Sequence, residues 1–294
     1  MRHNPIFKKI VAPFYYLLVD RNSFDRNTPI LTQLAYSMRF RLAGAGIFLN
    51  ENERKLASFK DIHKGKRCFI IGNGPSLNKL DLKKLKNEYT FGVNAIYLNY
   101  EKMQFHPTYY VLEDNLVAED RGAEIKKYTG PQYKFFGANL NYAVAPDHKT
   151  INMNVIRTYS DVDSFDPQFS EKIVRFLGVG GSVTYLCLQL AYYMGFEKVY
   201  MIGFDHSYKI PEEAIISNKH EAGFDILSTT ADPNHFSPDY FGKGYRWHDP
   251  NVERMEMGFR KANEVFERNG RKVYNATAGG NLNAFDRINY DDLF

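Results

Sequence analysis

Gly178-Val179-Gly180-Gly181-Ser182, then Val183-Thr184-Tyr185-Leu186-Cys187-Leu188-Gln189-Leu190-Ala191-Tyr192-Tyr193-Met194-Gly195, then Val199-Tyr200-Met201-Ile202-Gly203: this stretch decides the fold. Its glycines make a loop, and Ser182 has the side chain of a good N-cap. Behind it Val183, Leu186, Cys187, Leu190, Ala191 and Met194 recur at helical spacing along one face. Gly195 stands where a helix end favours positive φ. The apolar run from Val199 reads as a buried strand ending at Gly203-Phe204-Asp205. Loop, helix, tight turn and buried strand, in that order, are half of a doubly wound α/β sheet.

Upstream, Arg67-Cys68-Phe69-Ile70-Ile71-Gly72 is a short apolar run closed by glycine, consistent with another buried parallel strand. Thr90–Asn94, Tyr109–Glu113 and Lys134–Gly137 read as the next three. Downstream, Val252 to Asn269 carries Met255, Phe259, Ala262 and Phe266 on one helical face with Gly270 as its stop, and Lys272–Asn275 reads as a last strand. The expected architecture is a mostly parallel, Rossmann-like sheet with helices on both faces. Residues 1–64 are expected to form a helical, peripheral extension and residues 65–294 the main domain. Within the latter, 209–250 is polar, Pro-bearing and irregular, as a long functional loop or lid would be.

A chain of 294 residues can bury a sizeable core. Its 44% hydrophobic and 24% charged residues are ordinary for a globular protein. With 21 Tyr and 23 Phe, it fits either a Tyr-rich core or a site offering phenolic donors and stacking faces. A net charge of +4 falls well short of a nucleic-acid footprint, so no nucleic-acid partner is expected. Cys68 and Cys187 lie in apolar runs and read as two buried thiols of a reducing cytoplasm. Residues 1–20 are basic and aromatic, and Pro13 interrupts a run of about ten apolar residues, too short to cross a bilayer. That segment fits a peripheral contact with the inner face of the membrane, or a helix docked on the domain.

The turn Gly72-Asn73-Gly74-Pro75-Ser76-Leu77 carries the most chemistry. Glycines after a buried strand let backbone approach a ligand, and a helix N-terminus behind them favours negative charge. As a dinucleotide fingerprint the turn fails twice: Leu77 replaces the third glycine, and Asn94 rather than an acid ends the next strand. The phosphate-binding loop of the kinases is absent too. Asn73 and Asn94, at the ends of adjacent strands, can present amides to a base or ribose, and Asp114 falls on the same carboxyl edge.

The arrangement of Gly72-Asn73-Gly74-Pro75-Ser76-Leu77, Val93-Asn94, Gly181-Ser182 and Gly203-Phe204-Asp205-His206-Ser207-Tyr208 resembles two related families. One is the bacterial sialyltransferases of glycosyltransferase family 42. The other is the family of motility accessory factors and 6-hydroxymethylpterin diphosphokinase-like proteins. The likeness runs from about Lys66 to the C-terminus, and the tail around Tyr274–Gly280 is closer to the second. The first resemblance implies a transferase that moves an acidic sugar (sialic acid, Kdo or a relative) from a CMP donor to a glycan or lipid-linked glycan, in surface polysaccharide assembly, with residues 65–294 as its nucleotide-sugar-binding catalytic domain and 209–250 as a lid or acceptor loop. It implies that Gly72, Asn73, Gly74, Pro75, Ser76, Asn94, Asp114, Gly181, Ser182 and Asp205 surround the nucleotide. Tyr208 would then hold the departing phosphate, and His235 would act as base. It also implies a homo-oligomer. Between Tyr208 and His235 the sequence departs from the sialyltransferase pattern, so acceptor identity does not carry over.

The roles suit the residue types. An acceptor hydroxyl must lose its proton as the bond forms, which suits a histidine, and leaving phosphate needs fixed donors such as phenols. His206, His220, His248 and His148 are competing histidines. Asp161-Val162-Asp163 has the form of a cation-holding motif but lies in a polar stretch, and it reads as surface acid. A donor with one phosphate needs less cation help, so no metal or other cofactor is expected. Two alternatives stay open: a pterin-type diphosphokinase using ATP and a cation, and a nucleotide-binding protein without catalysis.

Overall fold

The computed structural model describes residues 29–156, 165–221 and 224–294. Eight strands form one all-parallel sheet. In chain order these are β1 (Arg67–Ile71), β2 (Tyr89–Val93), β3 (Tyr109–Leu112), β4 (Tyr133–Gly137), β5 (Thr150–Met153), β8 (Lys198–Ile202), β12 (Lys272–Asn275) and β13 (Asp286–Arg287). Their spatial order is β13-β12-β8-β1-β2-β3-β4-β5. The chain therefore runs outward from β1 in one direction and later continues from β8 in the other. The carboxyl ends of β1 and β8 are the switch point at which open α/β sheets open a crevice.

Alternation along the strands gives two cores. Cys68 and Ile70 of β1 point into one, with Phe91, Val111, Val199 and Met201. Phe69 and Ile71 point into the other, with Tyr110, Leu112 and Ile202. Facing the first are α1 (Ile30–Gly44), α2 (Glu51–Ala57), α4 (Val183–Tyr193) and α5 (Val252–Arg268); facing the second is α3 (Asn115–Lys127). Cys68 and Cys187 are buried free thiols, pushed up by desolvation. The tyrosines supply much of this packing: Tyr109, Tyr110 and Tyr185 are fully buried.

The described part of the N-terminal block, from residue 29, packs on the sheet. Ala43, Leu56 and Phe59 are buried in the first core, and Phe59 meets Tyr133 and Phe135 edge-on at 4.9 and 5.2 Å. A boundary at residue 64 would strip a covering layer from β3 and β4. Nor is 209–250 irregular: it holds β9 (Ile215–Glu221), β10 (Phe224–Ser228) and β11 (Arg246–His248), an antiparallel sheet in the order β11-β10-β9. Its strands lack apolar alternation: the neighbouring Ile215 and Ile216 of β9, on opposite faces, both lie exposed, while the neighbouring Ile226 and Leu227 of β10 are both buried, at a register shift against β9. The remaining strands, β6 (Val155–Ile156) and β7 (Leu177–Gly178), form a two-residue parallel pair. Among the described residues no helix is long and apolar enough to cross a membrane. Residues 1–20 and Asp161-Val162-Asp163 lie outside the described residues.

Candidate functional site

The turn after β1 is followed by a 3-10 helix, Pro75–Lys79, and not by an α-helix. An aligned α-helical dipole behind the glycines, expected from the sequence, is therefore absent. The glycines are required by the chain's own β8 turn. The Gly72 N–H donates to the Ile202 carbonyl at 2.8 Å and the Gly74 N–H to the Gly203 carbonyl at 2.9 Å. A Cβ on Gly74 would fall 2.0 Å from Asp205 Oδ2. That same carboxylate oxygen accepts from Ser76 Oγ at 2.7 Å and the Ser76 N–H at 3.3 Å, which ties the two switch-point turns together.

Above this junction opens a cavity of about 250 Å³. Gly72, Asn73, Gly74, Asn94, Asp114, Gly181, Ser182, Asp205, Tyr208 and His235 all lie on its wall. Pro75 and Ser76 do not; Ser76 is buried beneath, on Asp205. Residues 110 positions and more apart in sequence thus share one wall because both strand ends and the β9–β11 insert converge there.

Asn73 is buried and its orientation is fixed. Nδ2 donates to the Val93 carbonyl (3.2 Å) and the Tyr240 hydroxyl (2.8 Å), while Oδ1 accepts nothing among the described residues. Asn94 stands at φ 49°, a left-handed conformation that asparagine tolerates, and its Oδ1 is likewise buried without a donor. A buried acceptor without a donor is costly, and a ligand hydroxyl or amine would satisfy it.

His235 sits on the insert. Its Nδ1 lies 2.6 Å from Asp232 Oδ2, and its ring stacks on Tyr240 with centroids 4.0 Å apart and planes at 3°. Asp232 is buried and also accepts from the backbone N–H groups of Asn234 (2.8 Å) and Phe241 (3.1 Å). With Nδ1 committed, Nε2 is the nitrogen that remains for a substrate proton. Tyr208 is partly exposed, and its hydroxyl is 3.8 Å from Met255 Sδ.

Several wall residues were given no role from the sequence (Glu113, Asp232, Tyr240, Phe241, Trp247 and Asp249), and His206 and His248, competing histidines there, lie on the wall too. His248 Nδ1 is 3.5 Å from Asp114 Oδ2, and His206 Nε2 is 3.4 Å from Glu256 Oε2. Burial lowers the His206 pKa against the raising effect of Glu256. Burial raises Asp114, but the hydrogen bond and charge of His248, with the Val117 and Leu116 N–H groups it caps, bring it below its ordinary value. The spacing Asp232-Pro233-Asn234-His235 was the one local signal for a carboxylate beside that histidine; the others lie too far from their partners in sequence to show one. No Lys or Arg lines the cavity among the described residues, and no three His, Cys, Asp or Glu side chains there converge as a cation site.

A family model described as 6-hydroxymethylpterin diphosphokinase MptE-like matches residues 48–211, more than half of the chain. The match begins before Lys66 and so takes in the α2 layer, and it stops short of the insert strands and the tail. No curated protein matches. Among solved structures, a MAf glycosyltransferase from Magnetospirillum magneticum AMB-1 is similar at 16% identity and a TM-score of 0.46. The likeness covers 89% of this chain and 42% of that one, so this chain spans less than half of that protein's length.

Proposed function

This chain belongs to the 6-hydroxymethylpterin diphosphokinase MptE-like family, and from that premise we propose that it is a glycosyltransferase drawing an acidic sugar from a CMP donor. The observation that carries the reading is the His235–Asp232 pair, 2.6 Å apart, on the wall of a cavity also lined by Asn73 and Asn94, whose buried amide oxygens meet no donor among the described residues. In this reading Asn73 Oδ1 and Asn94 Oδ1 accept from the ribose hydroxyls or the base amino group. The donor's anomeric carbon–oxygen bond breaks, and the electron pair leaves on the phosphate oxygen. The acceptor oxygen attacks the same carbon and gives its proton to His235 Nε2, while Asp232 holds the ring and stabilises the imidazolium. The acceptor is a glycan or lipid-linked glycan, the enzyme works without a metal, and residues 1–20 place it at the inner membrane face.

The test is CMP release from CMP-N-acetylneuraminate and CMP-Kdo, beside thermal shift with CMP, UDP, GDP and ATP, each with and without Mg²⁺. Stabilisation by CMP independent of Mg²⁺, with release abolished in His235→Ala but binding kept, is the expected result. One observation favours a second reading, a diphosphokinase: Glu113, Asp114, Asp205 and Asp249 put carboxylates on the wall that a nucleotide-bound cation would use. Stabilisation by ATP only with Mg²⁺ would move the assignment there.

A further inference from the structure

Each of the two histidines His235 and His248 lines the cavity with its Nδ1 turned to a carboxylate. Asp114 is held independently of His248, because its Oδ1 caps α3 through the N–H groups of Leu116 (2.8 Å) and Val117 (3.1 Å). His248 is held independently of Asp114: two residues before it, Arg246 binds Asp120 and Glu119 of α3, and its ladder partner on β10 is Ile226. The geometry of the pair is therefore set from both sides. Phe241 and Trp247, stacked with centroids 6.3 Å apart, lie on the same wall, with Phe241 edge-on to His235. The cavity's five carboxylates (Glu113, Asp114, Asp205, Asp232 and Asp249) repel an anion, and no Lys or Arg among the described wall residues offsets them.

We infer that His248, oriented by Asp114, is the group that receives the donor's phosphate, so that the site works with two histidines of opposite duty. This rests on the CMP-donor reading above. His235 accepts the acceptor's proton; His248, protonated, donates its Nε2–H to the phosphate oxygen on which the bonding electron pair departs. The Asp114 carboxylate keeps the proton on Nδ1 and the positive charge on the ring. Of the wall's side chains, only a histidine can answer the new phosphate charge with a full positive charge, and His206 is turned to Glu256 on α5. His248 is thus a catalytic residue, and Asp114 a positioning one.

Calorimetric titration of the full chain with CMP and with cytidine separates phosphate recognition from nucleoside recognition. The expected result is that wild type prefers CMP, and that His248→Gln loses this preference by roughly ten- to a hundredfold, the worth of one charge-assisted hydrogen bond. Cytidine affinity stays unchanged and reports that the cavity is intact. Asp114→Asn keeps a helix-capping side chain and should lose part of the same preference. If wild type binds both ligands and neither variant alters their ratio, the role of His248 is overturned while the CMP reading stands. If wild type binds neither, the CMP reading falls and takes this role with it. If His248→Gln fails to fold, an unchanged ratio in Asp114→Asn overturns the inference.

Discussion

Gly72 and Gly203 lie back to back at the switch point: a Cβ on Gly72 would sit 2.5 Å from the Gly203 carbonyl oxygen. The close approach lets the ends of β1 and β8 share hydrogen bonds and sets the floor of the cavity. Because the obstacle is backbone, it cannot swing aside. Gly72→Ala should destabilise the protein by about 2 kcal/mol or more, as overpacking in a rigid site does. Urea unfolding followed by circular dichroism measures this; a change below about 0.5 kcal/mol would show that the turns separate at little cost.

Lys134 is buried in β4, and its ammonium meets Asp147 Oδ2 at 2.8 Å. Burial raises the Asp147 pKa, but the hydrogen bonds from Lys134 and the Thr150 hydroxyl and the Lys134 charge outweigh it, bringing the group from 3.8 to about 2. A depressed carboxylate contributes stability above its unfolded pKa and loses it as pH falls through the folded one. The stability gap between wild type and Asp147→Asn should therefore be full at neutral pH and shrink as pH drops from 3.8 toward 2. Asp147→Ala leaves the lysine without its carboxylate partner, and at pH 7 should cost about 3 kcal/mol. Denaturant titrations at several pH values give both numbers.

Arg246 fastens the insert to α3, with Nε 3.0 Å from Asp120 Oδ1 and Nη2 2.8 Å from Glu119 Oε2. The side chain is partly exposed, so Arg246→Ala should change global stability by no more than about 1 kcal/mol. Its local effect should be larger. Hydrogen exchange followed by mass spectrometry should show β10 and β11 opening faster with β1 unchanged. Equal protection in both proteins would mean that the other ties, among them Arg121, whose Nη2 donates to the Asp239 and Tyr240 carbonyls, and Asn73, hold the insert without Arg246.

Tyr240 serves His235 as a stacking surface and Asn73 as an acceptor. Tyr240→Phe keeps the ring and removes the acceptor, at a cost of about 1 kcal/mol. Tyr240→Leu removes the flat face as well. If stacking holds His235 for the proposed role as base, CMP release should survive the first change and fall further with the second, which steady-state kinetics would show.

Local signals read well where burial imposes a period. The helix opened by Ser182 and the one stopped by Gly270 lie where their apolar spacing puts them, and the strands from Cys68, Val199 and Lys272 end within a residue of expectation. Where no such period exists the sequence is harder to read. Pro75–Lys79 carries a helix-start signal but no longer apolar stripe, and it closes as a 3-10 turn. In the β9–β11 insert neighbouring residues share one environment, Ile215 and Ile216 exposed and Ile226 and Leu227 buried, so its strands show no alternation, and residues 30–59 pack on the sheet through a few side chains with no periodic face.

Apolar period and glycine placement, both local, were enough to specify a parallel doubly wound sheet with a glycine turn at its carboxyl edge. Which histidines face that edge was decided only by tertiary structure. Arg246 and Asp120 are 126 residues apart, and their ion pair brings the insert, with its Asp232–His235 and His248 groups, over Asn73 and Asp114. Such a pairing leaves no periodic trace in the chain, because its energy comes from two charges meeting in space and not from a repeating face that must be buried.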